Sequence, residues 1–297
     1  MWPRWASALF AVAGVLALTT IVMSTALAAE PSGWQVLLGG DDDATPRMPS
    51  GVVVDGQGSV YVTDTSGSRI EKLTISGRLV GTIGHLGPDG DALRRPRGLA
   101  LDGHGTLLVA DTANHRIQRF STSGDPLGPW GEIGSAPGEF ILPTSLALDS
   151  AGNVYVADTG NHRIQKLGPD GQPLSEWSGL HFPHGIALDA EDNVYVSDSD
   201  GLTKFTSDGQ RLASWTAPGQ FGDPYGVTVD SSGTVYVADT DNGRIVALAP
   251  SGQVQAVWGS QGSGVGQLKF PEAVAVGTDG AVYVADRGND RLQVLHP

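Results

Sequence analysis

The sequence predicts an all-β protein, a six-bladed β-propeller whose blades each have four strands. Its composition supports this, because 42 of the 297 residues are glycine and no long amphipathic helical pattern follows residue 30. A segment like Val-Tyr-Val-Ala-Asp recurs six times, and the last repeat lacks a strand that the other end of the chain supplies. Six linked units of about 40 to 47 residues are typical of a closed propeller.

Residues 1–29 differ in kind from the rest of the chain. An apolar run from Ala6 to Val22 precedes Ala26-Leu27-Ala28, which has the small-x-small pattern of a signal peptidase site. We expect an export signal, and cleavage is favoured over retention of residues 6–29 as a membrane anchor. Residues 30–297 then form one propeller domain, which is secreted or extracytoplasmic.

The charge balance excludes several classes of partner. The 18 basic and 32 acidic residues give a net charge of −14, whereas nucleic acids and anionic lipids require clustered lysine and arginine. The absence of cysteine excludes disulfides and thiolate metal sites. We therefore expect a monomer without a cofactor, with no nucleic-acid partner and with a protein, peptide or glycan of the cell envelope as its ligand.

Each repeat predicts its four strands in order. The first is an apolar strand that follows a proline, as in PTSLALD, and it ends in a turn such as Asp149 to Gly152. The second strand ends in the recurring aspartate, and the third follows a short loop. A turn glycine such as Gly171 then leads into a fourth strand that carries a large apolar residue such as Trp177. The recurring aspartates are Asp64, Asp111, Asp158, Asp198, Asp239 and Asp286.

The two ends of the propeller sequence complement each other. The sixth repeat stops at LQVLHP, after its third strand, whereas WQVLLGG near the start matches the tryptophan-bearing fourth strand of the other repeats. We expect the N-terminal strand 34–38 to complete the last blade and close the ring. Closure would remove two sheet edges that are otherwise exposed.

The proline-led strand followed by VYVADTGNHRIQKL at Val154–Leu167 resembles the NHL repeat, which is named after asparagine, histidine and leucine positions of this motif. The resemblance covers about residues 34–297 and implies a six-bladed propeller. It does not imply one function. The chain also resembles the extracellular NHL sensor domains of some bacterial serine/threonine kinases, but it carries no kinase signature.

Five repeats place an arginine five residues after the recurring aspartate. A catalytic device is needed once, whereas a device that fixes a blade is needed in every blade, so we interpret these pairs as structural bridges of the kind that a bidentate arginine forms. His115 and His162, the only histidines of the loop motif, are interpreted as packing or exposed side chains. The pairs are Asp64 with Arg69, Asp111 with Arg116, Asp158 with Arg163, Asp239 with Arg244, and Asp286 with Arg291.

Function is expected where the repeats differ from one another. In a propeller the first strand of each blade lines the central channel, so the residue after each proline lies at one channel mouth, together with the aspartate loops. We call this end the top face, and we predict that its ring of residues binds a ligand. The alternative is that the ring only plugs the channel with water. The ring contains Ser50, Arg97, Thr144, His184, Tyr225 and Glu272.

The fourth repeat departs most from the pattern. VYVSDSDGLTKF is two residues shorter than its counterparts and has lost the arginine, so Asp198 lacks its usual partner. Because Asp200 is beside it and His184 is expected nearby, we add Asp198 and Asp200 to the predicted ligand site. These residues are too few for a metal site. The Asp41-Asp42-Asp43 run is interpreted as a solvated loop rather than a calcium site.

Two classes of function remain open. Some NHL-like propellers are zinc-dependent lyases in which three histidines converge in the channel, and others are calcium-dependent lactonases or lyases with a central cluster of carboxylates. At the ring positions this sequence offers one histidine, His184, and one acid, Glu272. The favoured interpretation is therefore an exported binding module that uses its top face. The alternative is a metal-dependent, lyase-like or lactonase-like enzyme that depends on Arg97, His184, Tyr225 and Glu272.

Overall fold

The computed structural model describes residues 33–39, 46–216 and 219–297. The predicted export signal at 1–29, the alternative anchor at 6–29 and the Asp41-Asp42-Asp43 run lie outside these residues. No helix in the described part of the chain is long and apolar enough to cross a membrane.

The described chain forms six antiparallel sheets, which confirms the predicted fold class. The closing strand is β1 (Trp34–Gly39). The strands of blades 1 and 2 are β2 (Val52–Val54), β3 (Val60–Asp64), β4 (Arg69–Leu73), β5 (Leu79–Ile83), β6 (Pro96–Leu101), β7 (Thr106–Asp111) and β8 (Arg116–Ser121). Those of blades 3 and 4 are β9 (Pro143–Leu148), β10 (Val154–Asp158), β11 (Arg163–Leu167), β12 (Pro173–Ser178), β13 (Gly185–Leu188), β14 (Val194–Asp198), β15 (Gly201–Phe205) and β16 (Arg211–Trp215). Blades 5 and 6 contain β17 (Pro224–Val229), β18 (Val235–Asp239), β19 (Arg244–Leu248), β20 (Val254–Trp258), β21 (Pro271–Val276), β22 (Val282–Asp286) and β23 (Arg291–Leu295).

The closing strand occupies its predicted place. Strand β1 pairs antiparallel with β23 in a sheet of order β1-β23-β22-β21, with Trp34 opposite Leu295. The Trp34 side chain is buried in a cluster that includes Leu295 and Tyr236 of the preceding blade. The first strand of the domain therefore completes the last blade, as the sequence predicts.

Blade 2 has only three regular strands. Its fourth segment keeps two isolated pairings with β8, Trp130 with Ile117 and Pro126 with Phe120. Pro126 and Pro129 explain the interruption, because proline has no N–H to donate to the ladder. The other five blades have the four strands that the repeats predict.

The core lies between neighbouring blades. In five blades the second residue of the Val-Tyr-Val segment is a buried tyrosine, and in blades 3, 4 and 5 its ring contacts the tryptophan of the fourth strand at centroid distances of 5.9 to 6.3 Å. Aromatic pairs of this kind contribute roughly 0.5 to 1.5 kcal/mol beyond their burial. Leu108 replaces the tyrosine in blade 2. The tyrosines are Tyr61, Tyr155, Tyr195, Tyr236 and Tyr283.

Candidate functional site

The first strands of all six blades line a central channel with a cavity of about 350 Å³. The six predicted ring residues all border this cavity, so the structure brings together the residues that the proline positions single out. Their ligand-binding role remains a prediction, but their contacts with one another define the chemistry of the channel mouth. The ring is Ser50, Arg97, Thr144, His184, Tyr225 and Glu272.

A charged cluster occupies one side of the mouth. The buried Glu272 carboxylate lies 3.1 Å from Nε of Arg287 and 4.0 Å from an Nη atom of Arg97. Arg97 also lies beside the Tyr225 hydroxyl, and its side chain is 19% exposed. The 4.0 Å contact is loose for an ion pair, so an anionic group entering the channel has a partly exposed guanidinium to bind.

An aromatic pair forms the next part of the mouth. The rings of His184 and Tyr225 stack with centroids 3.8 Å apart, and Nε2 of His184 lies 3.7 Å from the Asp223 carboxylate. The interaction with His184 lowers the pKa of Asp223, whereas burial and the Glu272 charge raise the pKa of Tyr225. Nδ1 of His184 is buried and has no hydrogen-bond partner among the described residues.

The remaining ring residues bond to the protein itself. The hydroxyl of Thr144 donates to the carbonyl of His184 at 3.0 Å, and the hydroxyl of Ser50 donates to the carbonyl of Met48 at 3.1 Å. Both side chains are therefore tied to the loops of the top face. The groups that remain for a ligand are concentrated on Arg97, His184, Tyr225 and Glu272.

Asp198 is satisfied by backbone amides rather than by a cation. In the other five blades an oxygen of the recurring aspartate accepts the amide 17 residues before it, and Asp198 accepts that of His181 in the same way. Its other oxygen accepts the amides of Asp200 and Gly201, at 3.0 and 3.2 Å, in place of the missing arginine. Burial raises the pKa of Asp198. Asp198 is thus held inside its loop.

Asp200, which we expected near His184, pairs with Nδ1 of His181 at 3.0 Å. Both partners are more than half exposed. The carboxylate next to His184 comes instead from Asp223, in the loop that enters blade 5. The reason is geometric, because the short turn of blade 4 points back toward its own entry loop.

The five predicted aspartate–arginine pairs are present, with Nε to Oδ2 distances of 2.5 to 3.2 Å. A bidentate contact is not the common form. In Arg163 the other guanidinium nitrogens donate to carbonyls of Ser135, Ala136 and Glu139, in the loop that leads into the same blade. Arg291 contacts the corresponding loop of blade 6 in the same way. Arg116 and Arg244 each donate to one carbonyl of their own entry loop, so in four blades the arginine holds the entry loop to its blade.

The histidine of the repeat links neighbouring blades. Nδ1 of His115 accepts the amide of Leu142 at 3.1 Å, and Nδ1 of His162 accepts that of Phe182 at 3.3 Å. In blade 6, Asp290 takes the same role and accepts the amide of Met48 at 2.7 Å. Each of these residues thus fixes the residue before the proline of the next blade.

The residues before the six prolines all have positive φ values, between 44° and 53°. This backbone conformation is uncommon for residues other than glycine. Leu142, Phe182 and Phe270 are 44 to 50% exposed at these positions. We call these three residues the apolar collar, because each lies two residues before a member of the ring.

The donor set of the channel does not fit the catalytic metals of the propellers named above. Zinc catalysis requires about three protein ligands, and the ring has a single histidine and a single carboxylate, which already contacts two arginines. In the described ranges the one group of three histidine or acidic side chains close enough to share an ion is His85, Asp89 and Asp91. That group lies in the loop between blades 1 and 2, outside the channel.

Two residues of the mouth were not predicted. Arg287 directly follows the recurring aspartate of its blade, at a position where four other blades have threonine. Asp223 directly precedes the proline of its blade, the position that the apolar collar occupies in other blades. In those four blades the threonine hydroxyl donates to the proline carbonyl of the next blade at 2.6 to 2.7 Å. A comparison of the repeats at these two positions, as well as after the proline, would have identified both residues.

The fold and the repeated loop contacts define a six-bladed β-propeller made of short tandem repeats. The model of the NHL repeat matches residues 47–73, 93–120, 140–167, 221–248 and 268–295. The chain therefore belongs to the NHL-repeat proteins. The fourth blade, which has the short turn and no arginine, lies outside the matched residues. No curated protein sequence matches the chain.

Solved structures with this fold differ widely in function. Virginiamycin B lyase from Staphylococcus aureus is 16% identical, with a TM-score of 0.62 over 89% of this chain and 85% of that one. A gluconolactonase from Xanthomonas campestris is 17% identical, with a TM-score of 0.69 over 88% of each chain. A chain of a nidogen/laminin complex is 21% identical, with a TM-score of 0.58 over 71% of this chain and 80% of that one. At these identities the likeness concerns the fold alone.

Proposed function

We propose that the protein is an exported binding module that uses the top face of its propeller to bind a peptide, a protein or another ligand of the cell envelope. The observation that carries this proposal is the contrast between repeated and unrepeated residues. The repeated aspartates, arginines and histidines hold the blades together. The unrepeated polar and aromatic residues collect at one channel mouth, where a ring nitrogen of His184 has no partner among the described residues.

The surroundings of the mouth support a macromolecular or peptide ligand. The apolar collar of Leu142, Phe182 and Phe270 is exposed on the same face as the charged cluster around Arg97. Binding surfaces commonly combine aromatic or aliphatic contacts with an arginine. The nidogen/laminin complex includes a propeller of similar fold, which shows that such a scaffold occurs in a protein complex.

The test is capture of envelope components on the immobilised protein, followed by binding measurements with the purified partner. We expect Arg97→Ala and Tyr225→Ala each to weaken binding at least about tenfold, because contacts of this kind are each worth about 1.4 kcal/mol or more. Arg78→Ala is the matched control, since this exposed arginine lies in the turn between β4 and β5, at the opposite end of the blade. Equal affinity of all variants would contradict the proposal.

The metal content of the purified protein separates this proposal from the enzymatic alternative. We expect less than stoichiometric zinc and calcium, because the ring offers two ligands of the required type, of which one is paired. Retention of one metal ion per chain, lost in Glu272→Gln, would favour a metal-dependent lyase-like or lactonase-like activity instead. The location of the protein in the cell envelope is tested by fractionation of cells that produce the full chain.

A further inference from the structure

A second cavity lies between blades 2 and 3, at the end opposite the channel ring. It has a volume of about 520 Å³ and an apolar floor that includes Leu108 and Leu148. Trp130 and Arg119 form one wall, and Asp102 and His104 contribute polar groups from a turn. None of these residues takes part in the top face.

The other blades show what normally fills this place. A tyrosine stands six residues after the turn aspartate, and its hydroxyl donates to that aspartate at 3.2 to 3.4 Å in blades 1, 3 and 5. In blades 1, 3 and 4 a lysine opposite the tyrosine lies 4.8 to 5.1 Å from the ring centroid. In each of these blades the tyrosine side chain of the protein itself thus fills a pocket that suits a phenol.

Blade 2 has the same pocket without the phenol. Leu108 stands six residues after Asp102, so the ring and the hydroxyl are missing. The residue opposite, Arg119, lies 4.5 Å from the Trp130 ring centroid and donates to the carbonyls of Leu127 and Gly128. Asp102 accepts the amides of His104 and Thr106, both at 2.8 Å, and these bonds come from its own turn.

We propose that this cavity binds a phenolic ring from outside the chain, with the ring beside Trp130 and the hydroxyl donating to Asp102. Blade 3 supplies the template, since Asp149, Trp177 and Lys166 surround the phenol of Tyr155 there as Asp102, Trp130 and Arg119 border this cavity. Blade 2 also differs from the other blades in its interrupted fourth strand, which pairs with β8 only at Pro126 and Trp130. Because Trp130 borders the cavity, the two differences lie at the same place. The ligand is either a small phenol or the tyrosine side chain of a peptide.

The test uses 4-methylphenol, the side chain of tyrosine as a free molecule, with calorimetry on the full chain. We expect saturable binding with one site, and binding of toluene at least about tenfold weaker, because toluene cannot donate to the carboxylate. Asp102→Asn should weaken the binding of 4-methylphenol to a similar extent and leave the binding of toluene unchanged. The asparagine oxygen can still accept the amides of the turn, but the side chain has lost the negative charge of the carboxylate. Equal binding of the two compounds, or binding of neither, would overturn the proposal.

Leu108→Tyr is the second variant, because it restores the residue of the other blades. We expect it to abolish binding of 4-methylphenol and to raise the melting temperature by filling the void. Retained binding in a folded Leu108→Tyr protein would place the ligand elsewhere and refute the site. N-acetyl-tyrosine amide distinguishes the two sources, since its binding admits a peptide side chain, whereas binding of 4-methylphenol alone assigns the site to small phenols.

Discussion

Glu71 occupies a position that glutamine fills in three other blades. Gln165 and Gln293 there donate to the recurring aspartate and accept an amide of the entry loop. Glu71 is fully buried, and one of its oxygens accepts a bond from Arg69 at 2.9 Å. Burial raises its pKa from 4.5 to about 7, against the opposing effect of Arg69. A carboxyl at this position therefore remains protonated in the folded state at mildly acidic pH.

This pKa predicts a pH dependence of stability. Between pH 4.5 and 7 the unfolded chain has lost the Glu71 proton while the folded chain keeps it, so the free energy of unfolding falls as pH rises. We expect the free energy of unfolding of Glu71→Gln to rise by about 1 to 3 kcal/mol relative to the parent across this window, and we expect the difference to persist above pH 7. Denaturant unfolding at several pH values measures the difference. Glu191→Gln, at an exposed turn, controls for the lost charge, and parallel pH profiles of parent and Glu71→Gln would contradict the prediction.

The residue scale also shows what repetition can and cannot predict. It identified the aspartate–arginine pairs, because a residue pair present in five blades has a task that every blade shares. It did not identify the loop carbonyls that Arg163 contacts or the amides that replace the arginine at Asp198, since backbone groups have no sequence signature. Nor did it assign His162, whose partner Phe182 belongs to the next repeat.

At the scale of the strands, the turn glycines explain how neighbouring blades fit. Gly252 joins β19 to β20 with a φ of +84°, and a Cβ at this position would overlap the indole of Trp215 from the preceding blade. Gly171 and Gly209 have the same relation to Trp130 and Trp177. The glycine and the tryptophan of the repeat are thus one packing unit across two blades, although the sequence suggests only a turn residue and a core residue.

Gly252→Ala therefore tests this packing unit. Gly280 has nearly the same φ, +81°, but nothing lies within 4 Å of the place that an alanine Cβ would take there, so Gly280→Ala carries only the backbone cost of about 1 to 2 kcal/mol. We expect Gly252→Ala to lower the free energy of unfolding by about 2 kcal/mol more than Gly280→Ala does, because Trp215 must move. Thermal or denaturant unfolding of both variants provides the comparison. Equal losses would show that the indole contact contributes nothing.

At the scale of the whole molecule, the order of the strands in the sequence predicted the circle of six blades and its closure by the N-terminal strand. The missing fourth strand of the last repeat and the tryptophan-bearing strand at the start are complementary in sequence alone. The channel mouth was predicted only in part, because Arg287 and Asp223 reach it from positions that are variable among the blades. A cavity caused by one missing tyrosine could not be predicted until the packing between blades was known.

Because the propeller is closed by the pairing of β1 with β23, we expect its stability to depend on that pairing and not on which end of the domain supplies the closing strand. The carbonyl of Gly33 accepts the amide of His296 at 2.7 Å, so β1 begins beside the end of β23. A variant that starts at residue 46 and carries residues 33–39 after Pro297, through a short glycine-rich turn, keeps the pairing of β1 with β23. We expect its melting temperature to remain within a few degrees of the parent. Deletion of residues 34–38 should lower it by about 10 °C or more, because burial of Trp34 and one sheet edge is lost. A permuted chain as unstable as the deletion would contradict closure by this strand.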